Sequence, residues 1–318
     1  MRRTRSTTVM TMAAAVAVTL HAPASATIGD QGPPPATIAV GERPESVTRA
    51  WEGRFFVSVQ GAPDAGLGDG EIRSVNPRTG AVRTFVSGLD NPRGITFTGD
   101  RLVVTDTDRI WLIDRAGRKK LLTTANRFPH AAAFLSDVAP APGGNAVHVA
   151  EMGARTLSRD ANGVLWPLDS PMAQRIPAEA RVYRVSFAGD VREVVPPGRD
   201  ALIINGVATG RRPGQVVVGD MFYGNIVTVD IVSGRRTLVA SGYRGADGVE
   251  QGHDGSYYVS SYDQGVIWRL DRDGGHARVL YRGAGTGSTA DFHLDERNRR
   301  LLVADTAGGR VVVVPTGS

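Results

Sequence analysis

Gly245-Ala246-Asp247-Gly248-Val249-Glu250-Gln251-Gly252-His253-Asp254-Gly255-Ser256-Tyr257-Tyr258-Val259-Ser260 reads as a short strand, a tight turn and a second strand. The same pattern recurs: a polar or small residue, a small or acidic residue, an apolar residue, a turn with glycine or aspartate, then an apolar strand. The strands that follow the turns begin near Arg54, Arg101, Asn145, Gly214, Gly255 and Arg299, at spacings of 47, 44, 69, 41 and 44 residues. A period of about 40 to 50 residues built from short strands and turns is the signature of a β-propeller with one four-stranded blade per repeat. The spacing of 69 marks a third repeat that carries roughly 25 extra residues, Met152 to Ala180. The expected fold is therefore all-β, a six-bladed propeller with an inserted loop in blade three.

The last repeat, Ala290 to Pro315, supplies only three strands, while Ala36-Thr37-Ile38-Ala39-Val40 is a strand without a hairpin partner. Pairing the two closes the ring and covers a sheet edge that would otherwise be exposed. No Pro/Ser-rich linker or charge block divides the repeats, so residues 36–318 read as one domain.

Residues 1–26 read as an address. Arg2, Arg3 and Arg5 precede an apolar run from Val9 to Leu20, and Ala24-Ser25-Ala26 offers the small residues of a signal-peptidase site. The run has 12 residues, short of the roughly 20 that a membrane span needs. The reading is a signal peptide, a flexible lead-in over 27–35, and a secreted or periplasmic mature chain without a membrane span. Removing residues 1–26 lowers the formal charge from +5 to +2. The remaining basic residues are scattered among acids, and no basic stripe interleaved with aromatics suggests a nucleic-acid surface. No cysteine is present, so no disulfide braces the fold.

Aligned in register, the innermost strands read Glu45-Ser46-Val47, Arg93-Gly94-Ile95, Ser136-Asp137-Val138, Asn205-Gly206-Val207, Asp247-Gly248-Val249 and Ala290-Asp291-Phe292. Equivalent positions of a radial fold form a ring around the central channel, so Glu45, Asn205 and Asp247 converge there, with the Ser136 hydroxyl as a fourth oxygen. Such a set suits a hard divalent cation, Ca²⁺ before Mg²⁺. A second reading makes Asn205-Gly206 and Asp247-Gly248 ordinary hairpin turns. Asp137 and Asp291, one position later, are expected to bond backbone amides or neighbouring ligands. No histidine lies in the ring or in an HExxH pattern. His130, in a Phe-Pro-His loop six residues before Ser136, is a candidate to face the pocket. Arg93 either holds a carboxylate or carbonyl of a substrate or pairs with a ring acid.

Pro44-Glu45-Ser46-Val47, Phe134-Leu135-Ser136-Asp137-Val138, Ile204-Asn205-Gly206-Val207 and Ala246-Asp247-Gly248-Val249 resemble the metal-binding motifs of the senescence-marker-protein/gluconolactonase family of regucalcin-like lactonases. The resemblance implies a divalent cation held by Glu45, Asn205 and Asp247, with Asp247 also serving as the catalytic carboxylate of a lactonase. Two positions depart from the pattern. Ser136-Asp137 stands where members often have Asn-Asp, and Phe134 where sugar-lactone hydrolases tend to have arginine. A phenyl ring cannot grip a polyhydroxylated substrate, so a more apolar lactone or ester is expected, with Phe134 on the substrate face. The insertion, through Val164, Leu165, Trp166, Leu168 and Met172, either covers this pocket or packs on the rim. A non-catalytic propeller with a structural calcium, binding a small molecule or protein, is the competing function.

Overall fold

The computed structural model describes residues 27–28, 36–62 and 67–317. Six sheets of four antiparallel strands follow one another along the chain. Their innermost strands are Pro44–Arg49, Pro92–Phe97, Leu135–Pro140, Ile204–Thr209, Ala246–Gln251 and Phe292–Asp295. The six-bladed propeller expected from the repeat is the fold observed.

The core is divided into wedges. Ala139, Ala150 and Val182 of blade three pack against Val207, Val216 and Val218 of blade four. Equivalent clusters join the other neighbouring blades around the ring. The second strand of each blade is covered on both faces, which is why Phe55–Val59 and Leu102–Asp106 are buried throughout and read as continuous rather than alternating apolar runs. Outermost strands such as Lys119–Thr124 meet water and turn polar.

The chain closes the ring as expected. Ala36–Ala39 pairs antiparallel with Arg310–Pro315, Ala36 opposite Val313 and Ala39 opposite Arg310, completing blade six. Thr27 and Ile28 pair in parallel with Arg278 and Val279, adding a fifth strand to blade five. The signal-peptide reading of residues 1–26 and residues 29–35 of the lead-in expected over 27–35 lie outside the described residues, whereas Thr27 and Ile28 of that lead-in belong to the sheet of blade five. Among the described residues no helix is long and apolar enough to cross a membrane.

The extra residues of blade three lie between its second and third strands, Ala146–Glu151 and Arg181–Ser186. They hold a short helix, Pro171–Arg175, capped by the Ser170 side chain, which accepts from the Ala173 amide at 3.1 Å.

Candidate active site

Five inner strands share one irregularity. Their pairing with the second strand slips between Pro44 and Ser46, Pro92 and Ile95, Leu135 and Val138, Ile204 and Gly206, and Ala246 and Val249. Each slip contains the ring residue. A bulge frees that residue from the ladder and re-aims its side chain, and the outcome is a common destination: Glu45, Arg93, Ser136, Asn205 and Asp247 all line one cavity of about 270 Å³ at one mouth of the channel. In the sixth blade Ala290 precedes the strand and contributes no polar group.

The residue after each ring position makes the contact between blades. At Gly206 a Cβ would come within 2.2 Å of the Asp247 carbonyl, and at Gly248 within 2.3 Å of an Asp291 carboxylate oxygen. These glycines are therefore required by close approach of neighbouring strands, and the hairpin-turn reading of Asn205-Gly206 and Asp247-Gly248 is set aside. Where the position is not glycine it is a bonding group. Asp137 accepts from the amides of Val138 at 2.6 Å and Val207 at 2.8 Å, tying blade three to blade four. Asp291 accepts from Ser46 Oγ at 2.5 Å, tying blade six to blade one. Both acids line a second cavity of about 410 Å³ on the channel, apart from the cavity that Glu45 and Asp247 share.

Burial pushes the Glu45 carboxyl up, and Arg93, Arg155 and Arg43 pull it part of the way back. Burial and then the charge of Glu45 push Asp247 well above the usual carboxylate range. Arg93 is lowered to about 10 by its own burial, against the attraction of Glu45. Two enclosed carboxylates thus repel each other at the axis, which is the situation a cation relieves. Ser136 Oγ donates to Asn205 Oδ1 at 2.5 Å, fixing the amide while leaving that oxygen a second lone pair. The donors are all oxygen and fit a hard cation. Among the described residues no three His, Cys, Asp or Glu side chains gather to hold a metal, so two carboxylates, one amide oxygen and the Ser136 hydroxyl would be the protein's whole contribution.

Two candidates stand elsewhere. His130 is half exposed beside Glu193, 3.6 Å away on the outer strand of blade three, because its loop runs outward from the Leu135 strand. Phe134 does not line the cavity. It packs against the apolar cluster that includes Met152, Leu202 and Phe222, and its ring carries the guanidinium of Arg93 at 3.5 Å and that of Arg155 at 4.2 Å. The five apolar residues expected to cover the cavity, Val164, Leu165, Trp166, Leu168 and Met172, do not line it either. Val164, Leu168 and Met172 face solvent, and Leu165 is buried against blade four. What the insertion brings to the cavity is Met152, Arg155, Arg159 and Gly163. It is held in place there by a two-pronged bond from Arg159 to Asp263 and by Arg244 donating to the Trp166 carbonyl at 2.8 Å. Arg155 escaped the register argument because the insertion has no counterpart in other repeats.

No family model matches the sequence, and no curated protein is significantly similar to it. Solved structures are similar in fold. A gluconolactonase from Xanthomonas campestris superposes with a TM-score of 0.56 at 17% identity, over 89% of this chain and 98% of that one. A chain of a nidogen/laminin complex superposes at 0.54 and 13% identity, over 72% of this chain and 75% of that one. At such identities the likeness shows the fold.

Proposed function

We propose that this protein is a metal-dependent hydrolase of a lactone or related ester, a divergent propeller of the gluconolactonase type that is exported through its amino-terminal segment. The observation that carries the reading is the convergence of Glu45, Ser136, Asn205 and Asp247, from four blades, on one cavity. The similarity in fold to a gluconolactonase is consistent with it.

A divalent cation held by Glu45, Asn205 and Asp247, Ca²⁺ on the hardness of the donors, supplies Lewis-acid polarisation of the substrate carbonyl when bound. Ser136 donates to the Asn205 amide oxygen and leaves its other lone pair free. Asp247, buried and facing the cavity, takes a proton from the attacking water as the new C–O bond forms, then returns it to the alkoxide as the ester C–O bond breaks.

Purified protein is assayed against a panel of lactones and esters, with calcium and after chelation. Calcium-dependent turnover is expected, and Asp247→Asn should lower kcat by roughly 10² to 10⁴, the usual worth of a general base, with calcium still bound. An active Asp247→Asn enzyme removes Asp247 as the base. A chain that binds calcium yet hydrolyses nothing on the panel leaves the non-catalytic propeller.

A further inference from the structure

The same cavity is lined by four arginines, Arg43, Arg93, Arg155 and Arg159. Two are engaged. Arg43 donates to Gln60 Oε1 at 2.6 Å, and Arg159 grips Asp263 at 2.8 and 2.9 Å. Arg93 and Arg155 share the Phe134 ring instead, and the buried Arg93 Nε has no hydrogen-bond partner. Stacking fixes the plane of a guanidinium while leaving its N–H edge free for a bidentate oxyanion.

The charge count points the same way. Four guanidinium groups meet three carboxylates, Glu45, Asp247 and Asp263, leaving one positive charge in excess, and a bound divalent cation makes the excess three. Such an excess draws a counter-charge into the half-buried site. We propose that Arg93 and Arg155, stacked on Phe134, clamp a carboxylate carried by the substrate, so that the lactones or esters taken are acidic ones. The ester half of this statement rests on the function proposed above; the anion clamp does not. It also replaces the expectation of an apolar substrate, because the phenyl ring serves as a platform for cations.

The test is calorimetry on the calcium-loaded protein with succinate and with inorganic phosphate as probes. Succinate is expected to bind, and Arg93→Gln and Arg155→Gln should each weaken it by about 10- to 100-fold, the worth of a charge-assisted hydrogen bond. Phe134→Leu, which keeps the apolar packing but removes the platform, should weaken it as well. Circular dichroism verifies folding, and Arg155 is safest to change because Arg159 and Arg244 secure the insertion independently. No succinate binding, or full affinity in Arg155→Gln, overturns the clamp, and tighter binding of phosphate than of succinate overturns the carboxylate assignment. Arginine-dependent succinate binding without ester hydrolysis would sink the hydrolase reading and leave the clamp standing. Turnover of carboxylate-bearing lactones with unchanged KM in Arg155→Gln would do the reverse.

Discussion

In the function proposed above, Glu45 would have opposite effects without and with a cation. Alone, its charge repels Asp247, whereas beside a bound cation it would be a ligand. Glu45→Gln should therefore weaken calcium binding by about tenfold or more, at 1.4 kcal/mol per decade, and shrink the rise in Tm that calcium produces. Unchanged calorimetric affinity would take Glu45 out of the site. His148 offers a test away from it. Both ring nitrogens are buried without a partner, and burial, with Arg184 and Arg192 adding repulsion, lowers it from 6.5 to about 4. Protonation then favours the unfolded chain, so stability held above pH 6.5 is lost as pH falls toward 4, by an amount on the order of 3 kcal/mol. Asp220, pushed up to about 7 by burial, acts in the opposite sense: its buried charge costs stability near pH 7, and acidification toward 4 relieves that cost. Asp137, pushed up to about 7 by burial as well, acts with Asp220, so the His148 contribution is read as a difference between two proteins. The stability of His148→Leu should rise more on acidification than that of the wild type, as denaturant unfolding at pH 7, 5.5 and 4 reads. Parallel curves for the two proteins would refute the assignment.

At the scale of the strand, the position after each ring residue decides how near neighbouring blades can come. Gly206 and Gly219 lie on adjacent strands of blade four and make a matched pair. A methyl on Gly206 would collide with the Asp247 carbonyl, whereas on Gly219 it meets nothing nearer than 3.7 Å. Gly206→Ala should cost about 1 to 3 kcal/mol, the range for overpacking, and Gly219→Ala much less, as read by urea unfolding. Equal costs would mean that the strand spacing is not set at Gly206. The second strands carry a matching device at their far ends. Asp106 accepts the amides of Asp90 and Asn91, and Asp220 those of Ile203 and Tyr223. These acids hold the loops that lead into the ring residues of the same blades, so their burial serves the site from a distance.

Over the whole molecule, closure rests on four residues. Removing residues 1–39 exposes the edge of Arg310–Pro315, and an unpaired edge is both a stability loss and a route to aggregation. A Tm lower by on the order of 5 to 10 °C is expected, at a few degrees per kcal/mol for a chain of this size, with association visible in light scattering. A truncated chain as stable and monomeric as the full one would show that the closing strand is dispensable. The insertion is the other global feature. Its bonds to Asp263 and Arg244 make it a fixed cover that brings two arginines to the cavity, rather than an apolar flap.

Reading order alone determined the blade count, the closing strand and the convergence of Glu45, Arg93, Ser136, Asn205 and Asp247, because a repeat places equivalent residues at equivalent radii. The bonding roles of Asp137 and Asp291 followed from the same register. Only the tertiary structure decided which side chains face the cavity beyond that register. Arg155 sits in a segment without a repeat to be aligned to, Phe134 lies beneath the guanidinium groups of Arg93 and Arg155 rather than on the cavity wall, and His130 leaves with its loop. Each of these depends on how a non-repeating loop folds back across two blades, a matter of contacts between residues far apart in the chain, which no local pattern encodes.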